Sequence, residues 1–139
     1  MLIAFLAALA AAFIFLTFLQ TMAAYSTLPD RVPVHMNASG EADGFGPKFM
    51  IWLVPLVQVV SGVVMLYGAR ALASHAPGTH GTVLGATIIA VCVMALTWRV
   101  QQLLIASAKS GGQPVPMRGF WVFFAAWMCV VLFDALVIH

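Results

Sequence analysis

From Met1 to Tyr25 the chain carries no charged side chain, and the first one met is Asp30. About 20 apolar residues suffice to cross the hydrocarbon core of a bilayer as a helix. The opening run exceeds that length, so a membrane-spanning helix is expected over residues 1–25. A cleaved signal peptide would want a basic segment ahead of its apolar stretch. Neither Lys nor Arg precedes this one, and an uncleaved span is expected.

Three more apolar stretches follow, at about 49–68, 82–106 and 119–138. The whole chain is 63% hydrophobic and 7% charged over 139 residues. A water-soluble fold of this size could not cover its surface with so few charges. The expected fold class is therefore an all-α membrane protein: a single domain over 1–139, a four-transmembrane-helix bundle, with one long ordered polar loop at 26–48 between the first two helices. The lipid bilayer is the first expected partner. A net charge of +2 without a basic run argues against nucleic acid. Cys92 and Cys129 sit in apolar runs without metal or redox spacing and read as packed thiols.

The connections between later spans are short and turn-rich. Residues 71–81 include Pro77 and Gly78, and residues 107–118 include Gly111, Gly112, Pro114 and Pro116. Helices 2, 3 and 4 are thus expected as antiparallel neighbours. Pro55 falls inside the second span and is expected to kink it. Tyr25, Trp52, Phe120 and Trp121 lie near span ends, as an aromatic belt would. Small-residue ridges, Ala4-Ala8-Ala12 on helix 1 and Gly81-Gly85 with Ala86-Ala90 on helix 3, are candidate helix contacts.

Polar side chains inside the spans are few: Gln58, Arg99, Gln101, Gln102 and Asp134. At 1.5 Å per residue, Arg99 and Gln58 lie about 12–14 Å below the same membrane surface. Two readings follow. One is a polar cavity beneath the first loop, centred on Arg99 and shared with Gln58 and Gln20. The other is that Arg99 snorkels upward or bonds glutamines to fix packing. Asp134 is nearer the opposite surface, with Arg70 as a candidate partner.

The loop at 26–48 carries most of the chemical information. It is longer than most connections in compact bundles, which marks it as functional or disordered. Pro29 and Pro33 hold its first part extended. Asn37-Ala38-Ser39-Gly40 and Asp43-Gly44 are turn signals. His35 and Asn37 share a face, and Glu41 and Asp43 follow a turn that folds back toward them. These residues suit a divalent metal, general acid–base chemistry, or simple capping of the loop's own backbone. The spacing matches no strong ligand motif and no nucleophile elbow, so no catalytic residue, metal or cofactor is assigned. Asn37-Ala38-Ser39 is formally a glycosylation triplet.

Leu28-Pro29-Asp30, Val32-Pro33, His35, Asn37, Gly40, Asp43-Gly44 and Lys48, set between a first and a second span, resemble the bacterial membrane domain of unknown function 1648. That domain forms the N-terminal part of SdpI-type immunity proteins. The resemblance covers roughly Leu2 to Val64. It implies a multi-pass protein of the bacterial inner (cytoplasmic) membrane. In the SdpI type it further implies immunity to a secreted peptide toxin, with signalling by capture of a repressor at the membrane. The second conserved region of SdpI-type proteins has no counterpart here. Taken with the loop's own chemistry, the candidate binding residues are Pro29, Asp30, Pro33, His35, Asn37, Gly40, Glu41, Asp43, Gly44 and Lys48.

The expected function is a binding, regulatory or SdpI-like immunity-type protein acting through the loop, with another membrane protein or a peptide as partner. An accessory subunit of a larger membrane complex and a membrane enzyme using the loop's His and carboxylates are the alternatives. Orientation stays open. Arg31, Lys48, Lys109 and Arg118 share the loop's side, which by the positive-inside rule is cytoplasmic. The SdpI resemblance places it outside.

Overall fold

The computed structural model describes residues 1–75 and 80–137. Four helices carry the fold: α1 Leu2–Tyr25, α2 Leu53–His75, α3 His80–Lys109 and α4 Arg118–Val137. Three segments are long and apolar enough to cross a membrane: Leu2–Tyr25, Lys48–Gly68 and Val83–Lys109. The predicted turn at Pro77 and Gly78 lies outside the described residues.

The connection between α1 and α2 is more structured than a loop. It forms an antiparallel hairpin, β1 Arg31–Met36 and β2 Ala42–Pro47, followed by a 3-10 turn at Lys48–Trp52. Asp43-Gly44, read from sequence as a turn, belongs to β2. The turn itself is Asn37–Glu41. There the Asn37 side-chain oxygen accepts from the Ser39 and Glu41 amides, at 3.1 and 3.0 Å. A side chain that imitates a backbone turn in this way needs no tertiary support.

α3 is the central helix, packed against α1, α2 and α4. Its buried positions include Val83, Thr87, Ala90, Met94, Gln101, Leu104 and Ala108. Their spacing of three, four and seven is the seam of a left-handed helix pair. The facing seam on α1 is Ala10, Thr17, Thr21 and Ala24. The expected Ala4-Ala8-Ala12 ridge is exposed instead. It lies off the Ala10–Thr17 stripe, which has the hydroxyls that bond within the bundle.

Pro55 does not kink the middle of a helix. It is the third residue of α2, directly after the 3-10 turn. In the first turn of α2 the missing N–H breaks no bond within α2 itself; the one carbonyl it deprives of an i+4 donor is that of Ile51 in the preceding 3-10 turn. The hairpin-side core is formed by Leu28, Val32, Ile51, Leu104 and Ala108. It joins the hairpin, the 3-10 turn and the last turns of α3.

Candidate functional site: a clamped hairpin cap

The hairpin is fixed to the bundle at both ends. At its base, the Lys48 amide donates to the Asp30 carbonyl at 2.8 Å. The Lys48 ammonium stands 5.0 Å above the Tyr25 ring, and Tyr25 packs on Trp52. This aromatic and cationic group suits a membrane–water interface. At the tip, the Val115 amide donates to the Gly40 carbonyl at 3.0 Å. Gly40 has φ of +86°, and a Cβ there would run into the Val115 carbonyl. Both the turn and the docking therefore require glycine. In between, the Phe45 ring lies over Gly112 of the α3–α4 connection.

Two register irregularities shape the exposed side. His35 pairs with Gly44, Pro33 with Phe45 and Met36 with Ala42, so Val34 and Asp43 are left over. A bulge re-aims the side chains around it. Val32 is fully buried while Val34, two residues on, is turned outward, where an unbroken strand would put both on one face. The second irregularity brings Asp43 beside His35: Nδ1 and Oδ1 are 2.5 Å apart, with side chains 71% and 44% exposed. This pair is open to a ligand, not sealed into the fold.

The remaining predicted residues divide by role. Asn37 and Glu41 meet, with Nδ2 donating to Oε2 at 3.1 Å. Ser39 also donates to the Asn37 side chain at 2.7 Å, so Asn37 and Ser39 serve the turn. Pro33 is fully buried, Pro29 and Asp30 lie just ahead of β1, and Gly44 faces His35 across the hairpin. The metal reading draws no donor set from this geometry. Among the described residues no three His, Cys, Asp or Glu side chains come together. The acid–base reading retains a His–carboxylate pair, but Ser39, the nearby hydroxyl, is engaged by Asn37 and Glu41.

Among the described residues, Gln58 and Arg99 are turned to different partners and do not line one groove. Gln58 is fully buried and donates from Nε2 to the Met94 carbonyl at 2.9 Å. Arg99 turns elsewhere, donating from Nη1 to Gln102 Oε1 at 2.9 Å. A Cβ on Gly119 would sit 3.0 Å from Arg99 Nη2, so the guanidinium rests against the start of α4. A groove of about 610 Å³ is lined by Gln20, Arg99 and Gln102 but not by Gln58. Pointing to the next turn and a helix end is the snorkelling arrangement. Asp134 lies on α4, and its side chain falls outside the described residues.

Residues 12–59 match the family described as Domain of unknown function (DUF1648). The match takes in the second half of α1, the whole hairpin, the 3-10 turn and the start of α2. α3 and α4 lie outside it, although α3 supplies the surface on which the hairpin is seated. No curated protein and no solved structure matches the chain.

The sequence reading missed how Thr21 and Gln101 work together. Gln101 Nε2 donates to Thr21 Oγ1 at 2.8 Å and to the Ile51 carbonyl at 3.0 Å. This links α1, α3 and the 3-10 turn directly beneath the cap. The available signal was a polar residue on α3 in heptad register with Met94 and Ala108, opposite a Thr-Thr pair on α1.

Proposed function

We propose that this is a membrane-bound recognition protein, of a regulatory or SdpI-like immunity type, that engages a peptide or a segment of another membrane protein on its hairpin. In this reading α4 is a fourth span, and the protein resides in a bacterial inner membrane. The observation that carries the proposal is the exposed His35–Asp43 pair on a hairpin whose other parts are pinned to the bundle. Holding a polar pair rigidly at the surface lowers the ordering cost of binding. β1 is the strand that lies against α3 and the 3-10 turn, and β2 meets the α3–α4 connection through Phe45 and Ala42, so the hairpin is held from both sides.

The test places a photo-crosslinking amino acid at the exposed Ser39 in cells of the source strain. A discrete crosslinked peptide or protein is expected, and it is expected to disappear with His35→Ala or Asp43→Asn while membrane insertion is retained. The immunity arm compares growth of cells expressing each form in concentrated spent medium of the same strain. Equal crosslinking and equal protection by wild type and both variants would refute the proposal.

A further inference from the structure

Arg99, Gln102, Ala106 and Lys109 follow one another at intervals of three, four and three residues, which places them on one face of α3. With Gln20, Ala23 and Ala24 of α1 they line the groove of about 610 Å³. Its polar wall is rich in donors. Arg99 gives one N–H to Gln102. Gln20 Nε2 is shielded from solvent and has no acceptor among the described residues. Among the described residues the one ion pair is His35–Asp43, so neither Arg99 nor Lys109 has a carboxylate against it. Alanines at three of the lining positions leave room for an incoming group.

The height of the groove narrows the occupant. Leu104 and Ala108 pack against Leu28 and Val32 of the cap, so this end of α3 stands at cap level. Arg99 lies ten residues inside Lys109, about 15 Å along the helix at its Cα, and its guanidinium is turned back toward Gln102. The headgroup zone adds roughly 5–7 Å on each side of the hydrocarbon core. The groove thus opens in that zone at Lys109 and extends below it to Arg99, whose long side chain points back up toward it. We infer that it is a binding site for the phosphate of an anionic phospholipid, held by Arg99 and Lys109 between α1 and α3. An Arg is suited to the two oxygens of a phosphodiester, and a Lys near the surface adds a point charge.

Native mass spectrometry of the delipidated full-length protein, titrated with phosphatidylglycerol or phosphatidylcholine, tests this. Each basic residue near a membrane surface contributes roughly a fivefold preference for anionic lipid. Wild type is expected to prefer phosphatidylglycerol, and Arg99→Gln to lose most of that preference. Lys109→Gln, at an exposed helix end, carries the test if Arg99→Gln fails to fold, and is expected to lose roughly fivefold. Arg70→Gln, near the opposite surface and outside this groove, is expected to cost no more than that fivefold, well short of the loss in Arg99→Gln. Equal binding of the two lipids by wild type overturns the inference, as does an undiminished preference in Lys109→Gln. Displacement of phosphatidylglycerol by millimolar inorganic phosphate would identify free phosphate as the ligand and overturn the lipid assignment.

Discussion

Gln101 of α3 donates to the carbonyl of Ile51 at 3.0 Å, and Ile51 is the residue whose carbonyl Pro55 would serve if it had an N–H. In an α-helix that carbonyl accepts from the amide four residues on. Proline removes the donor, and in lipid no water replaces it. A glutamine on the neighbouring helix does. The same amide nitrogen also reaches Thr21 on α1, so one side chain satisfies the proline site and joins three elements.

That relationship predicts coupling. Gln101→Leu should destabilise the protein by about 1–2 kcal/mol, because a buried carbonyl loses its partner. In a Pro55→Ala background the new amide supplies a donor, and the loss should fall by about 0.5–1 kcal/mol. Denaturant-induced unfolding in mild detergent measures all four corners of the cycle. Strictly additive effects would show that the two residues do not share the Ile51 carbonyl.

The cap gives a second prediction, resting on Gly40. Gly40→Ala meets both a positive φ and the Val115 carbonyl. A loss of about 1–3 kcal/mol is expected from strain of this kind, confined to the cap. Hydrogen exchange should accelerate in residues 31–47 and around Val115, while amides in the middle of α3 keep their protection. Uniform acceleration throughout would mean that the cap is not a separate unit laid on the bundle.

The helices were legible because lipid makes a crude demand: long apolar runs with polar breaks, which composition alone displays. The cap was legible in its chemistry but not in its shape. Prolines, Asn37 and Gly40 announce turns, and His35 with Asp43 announces polar work. The strand pairing was hidden because β2 reads Ala-Asp-Gly-Phe-Gly-Pro, a composition that normally breaks strands. Here glycine is tolerated because the strand packs closely, with Gly44 facing His35. Of the two readings the sequence left open for Arg99, the bond to a glutamine is the one the side chain makes: the guanidinium points toward Gln102 and Gly119.

Exposed and buried residues of the hairpin should separate cleanly by measurement. His35→Ala and Asp43→Asn weaken a hydrogen-bonded His–carboxylate pair open to solvent, and surface pairs of this kind contribute at most about 1 kcal/mol. Val32 is fully buried in the cluster with Leu28, Ile51 and Leu104, so Val32→Ala should cost about 1–2 kcal/mol. Thermal unfolding in detergent compares them. An Asp43→Asn variant less stable than Val32→Ala would move the pair from the recognition surface to the scaffold.

The last prediction concerns where α4 begins. Arg99 Nη2 is so close to Gly119 that even one methyl group would press on it at 3.0 Å. Gly119→Ala should be absorbed by a small shift of the guanidinium, whereas Gly119→Leu should push it away and loosen the α3–α4 contact. Cysteines placed at Ala95 and at Phe124, on the facing helices, give a spectroscopic ruler once labelled in a Cys92→Ala, Cys129→Ala background. The distance should be unchanged in Gly119→Ala and broadened in Gly119→Leu. If Gly119→Leu leaves the distribution as narrow as wild type, α4 is held to α3 by the rest of their packing, and Arg99 is free to serve the groove alone.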